Sequence, residues 1–118
     1  LKTKVLKLTQ EAFNYYRENT NERNKNITYD QACKKISRNV LLAKEVKLRD
    51  KFQRLTGMKL YHYGNLHIYL RWNRVIKLVN HKGGKHYGGW QQDIMKHIEL
   101  SEQLGIEDNK YSKQLNFN

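Results

Sequence analysis

Apolar residues recur first at helical spacing and then, past residue 58, at the two-residue spacing of a strand. Val5, Leu8, Ala12, Tyr15 and Tyr16 share one face of a helix over residues 5–18. The same stretch also accommodates a short strand over residues 4–8, with Thr9 as the N-cap of a later helix. Residues 18–26 are polar and Asn-rich and predict a loop. Thr28-Tyr29-Asp30-Gln31 has the form of a capping box. The Thr oxygen accepts from the third backbone N–H while Gln31 reaches back, so a helix is predicted from residue 29. Ala32, Ile36 and Val40 continue its apolar face. Leu41, Leu48, Phe52 and Leu55 form a second stripe with Leu42 and Val46 beside it. The helix is therefore expected to continue, or to bend near Asn39, until Gly57 ends it in the left-handed conformation.

Residues 59–63, 66–71 and 74–80 read as three strands joined by the two-residue connections Gly64-Asn65 and Trp72-Asn73. Connections that short make the strands antiparallel neighbours. Leu66, Ile68 and Leu70 then share one face, and His67, Tyr69 and Arg71 the other. In the third strand Ile76 and Leu78 alternate with Val75, Lys77 and Val79, the pattern of a strand covered on both sides. Residues 81–89 form a loop with two Gly-Gly pairs. Asp93, Ile94, Ile98 and Leu104 mark a closing helix stopped by Gly105. The expected fold is α+β, with N-terminal helices packed on a small three- to four-stranded antiparallel sheet and a C-terminal helix. One domain over residues 1–118 is expected: a helical part at 1–57, sheet and Gly-rich basic loop at 58–89, and helix and tail at 90–118.

Composition adds a partner. The 118-residue chain carries a net charge of +12, and its thirteen aromatic residues argue for a packed body. All eleven Asp and Glu lie within 11–50 or 93–108, so residues 51–92 contain no acid. That block holds eight Lys and Arg, four of the five His and both Trp. A cationic, aromatic, acid-free surface suits a polyphosphate, and nucleic acid is the expected partner, RNA before DNA. The plainer reading is a solvated basic face on a phage or plasmid protein of AT-rich coding bias. No segment is apolar enough to span a bilayer, none joins a strongly apolar face to a basic one, and no cleavable leader is evident. The lone Cys33 suits a reducing compartment, hence the cytoplasm, and reads as an inert, buried thiol.

Candidate chemistry gathers on the polar sheet face and the loop after it. Metal-free RNA cleavage needs a base for the 2′-hydroxyl, an acid for the leaving 5′-oxygen and cations for the phosphorane. His67, Tyr69, Arg71, His81 and His86 are the candidate catalytic residues. Lys59, Arg74, Lys77, Lys82, Lys85 and Tyr87 are the candidate nucleic-acid contacts. The Gly-rich loop can lay backbone amides against phosphates, or serve only as a connection. No cofactor is expected. His81, His86 and His97 have loosely ligand-like spacing, but without a Cys pair or nearby Asp no metal site is assigned. Trp72 and Trp90 read as core or rim residues, with base stacking the lesser alternative.

Residues 28–80 resemble the RelE-like group of small ribonuclease toxins, in the wider barnase/EndoU/colicin class. The resemblance is carried by the helix Tyr29-Asp30-Gln31-Ala32-Cys33-Lys34-Lys35-Ile36, the run from Lys59 to Arg71, and Val75-Ile76-Lys77-Leu78-Val79. It implies an endoribonuclease with basic and aromatic catalytic groups on the sheet and its last loops. Those groups map to His67, Tyr69, Arg71, Lys77, His81 and His86, with a protein antitoxin or inhibitor as a further partner. The rival class is a non-enzymatic DNA-binding regulator or phage accessory protein. Residues 28–50 can be written as a helix-turn-helix whose recognition helix spans residues 37–47 and contacts DNA through Arg38, Asn39 and Lys44.

Overall fold

The structure is a computed structural model that describes residues 4–81 and 90–106. Its elements in chain order are β1 (Lys7–Leu8), α1 (Gln10–Asn19), a 3-10 turn (Glu22–Asn24), α2 (Tyr29–Leu42) and β2 (Lys44–Val46). They are followed by α3 (Lys51–Leu55), β3 (Met58–Tyr63), β4 (Leu66–Arg71), β5 (Arg74–Asn80) and α4 (Ile94–Leu104). The fold is α+β with a C-terminal helix, as expected. The sheet is larger than expected and mixed: five strands in the order β1-β5-β4-β3-β2, with β1 parallel to β5 and every other pair antiparallel.

The local signals that were read correctly are short-range ones. The Thr28 hydroxyl accepts from Gln31 N at 3.2 Å and starts α2. The Gln31 side chain donates to Gly105 O at 3.4 Å, tying α2 to the end of α4. Asp93 caps α4, and Gly105 ends it at φ +70°. Both hairpin loops carry a positive φ at their first residue, +57° at Gly64 and +54° at Trp72. Primed turns need that geometry, and it is costly for a tryptophan.

One further strand was an alternative left open and the other was not expected. Of the two readings of the N-terminal stretch, the structure has the short strand: Thr9 caps α1 by accepting from Ala12 N at 3.2 Å. β1 exists because β5 offers it an edge, with Lys7 N donating to Asn73 O and Thr9 N to Val75 O. The Tyr29 hydroxyl donates to Leu8 O at 2.6 Å and accepts from Leu8 N. A side chain thus occupies the outer edge of the strand. β2 replaces the expected continuous helix: α2 stops at Leu42, and Lys44–Val46 pair with Leu60–His62. The predicted stripe fails with it. Leu48 is buried, but Leu41, Phe52 and Leu55 are exposed. The 1–57 part is accordingly not purely helical.

The core lies between one face of the sheet and helices α1 and α2. Leu66, Ile68 and Leu70 of β4 meet Ala12, Tyr16, Ala32, Cys33 and Ile36. β5 does not alternate strictly. A register shift opposite Tyr69/Leu70 brings Val75 and Leu78, three apart, onto the same buried side, so Lys77 stays exposed. The expectation of a strand covered on both faces is corrected by that bulge. Hydrogen bonds from Asn80 N to the Tyr15 hydroxyl (2.7 Å) and from Asn80 Nδ2 to Asn19 O (2.6 Å) lock the end of α1 to the end of β5. Cys33 is buried, as expected. No helix among the described residues is long and apolar enough to cross a membrane.

Candidate functional site

On the side opposite α1 and α2 the sheet presents a face that, among the described residues, those helices leave open. A two-residue loop fixes the β3–β4 register, so His62 lies directly across from His67, and Leu60 across from Tyr69. Lys77 of β5 flanks Tyr69 on the other side, and Lys44 of β2 flanks His62. His62, His67, Leu60, Tyr69 and Lys77, with Met58 and the stretch from Val46 to Asp50, border a groove of about 590 Å³, and Lys44 stands outside its lining.

The groove centres on three imidazoles. His62 and His67 are stacked with ring centroids 3.8 Å apart and planes 7° from parallel. His81, just past β5, lies 4.2 Å from His67 at 50°. Its position is set by the backbone bond from His81 N to Asn65 O, 2.9 Å. Stacked rings hold their nitrogen lone pairs in parallel planes, so the lone pairs do not converge on one point. Among the described residues no group of three or more His, Cys, Asp or Glu is arranged to hold a metal ion. Burial pushes the His67 ring down to about pH 4, with His62 and His81 adding to the effect. Burial, then His81 and Lys44, also lower His62. An imidazolium is poorly tolerated where burial strips its water and two further imidazoles crowd it, so His67 favours the neutral form at pH 7. The Lys77 ammonium sits 5.6 Å from the Tyr69 ring centroid, within cation–π range.

Of the expected catalytic residues, the structure brings together His67, Tyr69 and His81, with the expected contact Lys77 beside them. Arg71 shares their strand face but lies at the far end of β4. There its Nη2 donates to Thr56 Oγ1 at 3.2 Å, and the neighbouring side chains are Phe52, Leu55 and Trp72. Arg74 is paired with Arg71 at that same remote end. Lys59 is in register with Leu70, on the opposite side of the sheet from the imidazoles. Strand alternation thus removes Lys59 from the cluster, and distance along the strands removes Arg71 and Arg74. Lys82, Lys85, His86 and Tyr87 lie outside the described residues. His62 and Lys44 were missed as members of this face. Gly64-Asn65 was the available signal, since a two-residue loop makes Tyr63 and Leu66 partners and so places His62 opposite His67.

The helix-turn-helix reading does not survive the geometry. Residues 29–42 are one helix followed by a strand, so no recognition helix spans 37–47. Arg38 and Asn39 are buried at 6% and 3% exposure, out of reach of a DNA groove. His97 is fully buried on α4 and lines a different pocket from His81. Trp72 is exposed, whereas Trp90 is half-buried, donating to Leu42 O at 2.9 Å and packing edge-on against Tyr63.

These features define a small α+β domain whose mixed sheet keeps one face for a histidine-centred, lysine-flanked groove. The YorE family model matches residues 6–103, and the chain belongs to that family. It is 43% identical over 111 residues to the SPbeta prophage-derived uncharacterized protein YorE of Bacillus subtilis (strain 168), covering 92% of this chain and 89% of that protein. No solved structure matches. The resemblance to RelE-like ribonuclease toxins is overturned by this match, which runs through nearly the whole chain and indicates no ribonuclease toxin family. A Tyr-x-Tyr-Gly-x-Leu-x-Ile hairpin is what any half-buried antiparallel pair around a Gly-Asn turn looks like, and it carries no lineage.

Proposed function

We propose that the chain binds nucleic acid, RNA in preference to DNA, on the open sheet face and cleaves it there without a metal ion. The observation that carries this reading is the contiguous His62–His67–His81 cluster beside Tyr69, Lys77 and Lys44. Lysines at both margins attract the phosphodiester, and Tyr69 offers a ring on which a base can stack. His62, kept neutral, takes the proton of the ribose 2′-hydroxyl. The 2′-oxygen then attacks phosphorus, and the bond from phosphorus to the 5′-oxygen breaks. His81 protonates the departing 5′-oxygen, which leaves a 2′,3′-cyclic phosphate and a 5′-hydroxyl end. His67 touches both rings and holds their spacing. Lys44 and Lys77 offset the charge of the pentacovalent phosphorane.

The test is incubation of labelled RNA with the protein in EDTA, together with salt-titrated binding to RNA, single-stranded DNA and duplex DNA. Cyclic-phosphate ends that disappear in His62→Ala and His81→Ala support the full reading. Intact RNA at high wild-type concentration removes the cleavage step. Unchanged binding in the double variant Lys44→Ala/Lys77→Ala removes the surface altogether.

A further inference from the structure

The end of the sheet marked by the β4–β5 turn carries the three most exposed large apolar side chains among the described residues. Phe52 and Leu55 lie three apart on α3, hence on one helix face, and are 73% and 75% exposed. Trp72, in the turn, is 76% exposed. With Thr56, Gly57 and Arg71 they border one open groove of about 560 Å³. Apolar residues scattered singly over a surface need no explanation, but three of this size gathered in one groove mark a contact site.

The backbone at Trp72 gives a second, independent sign. Gly64 opens the β3–β4 loop at φ +57°, and Trp72 opens the β4–β5 loop at φ +54°. Both positions ask for the same left-handed backbone, which glycine adopts freely and tryptophan only with strain. The fold gains little in return. The indole covers Gly57, where an added Cβ would lie 3.0 Å from Trp72 Nε1, yet most of the ring stays in water. Strain at an exposed position, with no packing to offset it, points to a binding role.

Charge selects the partner. Arg71 lines the groove half-buried: its Nη2 donates to Thr56 Oγ1, and its buried Nε has no hydrogen-bond partner among the described residues. No Asp or Glu lines the groove, while Lys51 and Arg54 on α3 and Arg74 opposite Arg71 are exposed. Asp50, the acid next to α3, is engaged in capping it through Phe52 N and Gln53 N. A guanidinium beside an apolar groove, with no carboxylate of its own, is half of a pair that a partner completes. A second copy of this chain would bring +12 against +12. A polyphosphate would leave Phe52 and Leu55 unmatched. Tryptophan and arginine side by side are the residue types that dominate protein–protein contacts.

We infer that this groove docks an acidic protein segment, with an apolar side chain of the partner among Trp72, Phe52 and Leu55 and a carboxylate on the Arg71 guanidinium. The groove shares no lining residue with the His62–His67–His81 groove, so it stands or falls separately from the cleavage reading.

The test is selection of random phage-displayed peptides on the immobilised whole protein, followed by titration of the recovered sequences as synthetic, fluorescein-labelled peptides. They are expected to combine an aromatic or aliphatic residue with acidic neighbours and to bind one to one. Trp72→Gly should weaken them about tenfold or more, while its urea midpoint holds or rises because glycine relieves the turn. Phe52→Ser should weaken them several-fold. Arg71→Gln should do the same, yet change little for analogues whose Asp and Glu are replaced by Asn and Gln, the coupling that a shared ion pair produces. Met95→Ser, at an exposed apolar position on α4 outside the groove, should leave affinity unchanged. Sedimentation of the protein alone and titration with a single-stranded RNA oligonucleotide cover the other occupants. Self-association lost in Trp72→Gly would make the groove a dimer contact, and RNA affinity lost in Trp72→Gly would make it part of a nucleic-acid surface; either result overturns the proposal. It is also overturned if no peptide is recovered above a bare surface, if the recovered peptides lack acids, if they bind Trp72→Gly as tightly as wild type, or if the Trp72→Gly midpoint falls.

Discussion

On β4, Leu66, Ile68 and Leu70 point beneath α1 and α2 into the core, whereas His67, Tyr69 and Arg71 point to the open face. One face is closed by apolar helices and is insensitive to charge. The other is lined by groups whose worth depends on pH, salt and what lies against them. Yet His67, at 8% exposure, is about as buried as Leu70 at 8%, because His62 and His81 shield it instead of a helix. Burial alone therefore does not separate the two faces. What covers the residue does.

The largest expected effect is on the closed face. Ile68→Ala empties a site with no solvent exposure and should cost about 2–5 kcal/mol of unfolding free energy, read from urea denaturation. If the faces are independent, the folded fraction of this variant binds nucleic acid as wild type does.

Next comes acid. The unfolded chain takes up a proton at the ordinary histidine pKa near 6.5, while His67 in the fold resists until about pH 4. The unfolded state therefore binds more protons between those values. Stability is complete above about pH 6.5 and falls as pH drops toward 4, by about 2–3 kcal/mol through His67, with His62 adding in the same direction. Urea midpoints at pH 7 and pH 5 measure the loss, and His67→Asn should flatten it. A flat wild-type profile would mean that the stack opens to water.

Third, Lys77→Ala should reduce RNA affinity several-fold and lower the slope of log affinity against log salt by about one, without moving the urea midpoint. The smallest effect is expected at the apolar but exposed Phe52, where Phe52→Ser should change stability by less than about 0.5 kcal/mol.

These contrasts also mark what the sequence could convey. The alternation that splits Ile68 from His67, the Thr28 and Asp93 caps and the Gly64 turn are local, and all were legible. β1 and β2 are two and three residues long and exist only through partners far along the chain, Arg74 and Val75 for one and Leu60 to His62 for the other. Without β2, Leu41, Phe52 and Leu55 read as a helical stripe, and Arg38 and Asn39 read as an exposed helix end when they in fact line a pocket. His67 and Tyr69 were found because they alternate on one strand, and His81 because it stands just past the next. Arg71, Arg74 and Lys59 were overcounted because basic character says nothing about which end or side of a strand a residue occupies.

The parallel pairing of β1 with β5 has a consequence in time. β3, β4 and β5 are joined by two-residue loops and can zip as soon as they leave the ribosome, each closing a short loop. β1 emerges before any of them but finds its hydrogen-bond partners only after β5 has been made. Until then Leu6 and Leu8 have no core to enter, and the outer edge of β5 stands unpaired. Among the described strands, β1 thus waits longest for its partner, and its pairing closes that edge of the sheet.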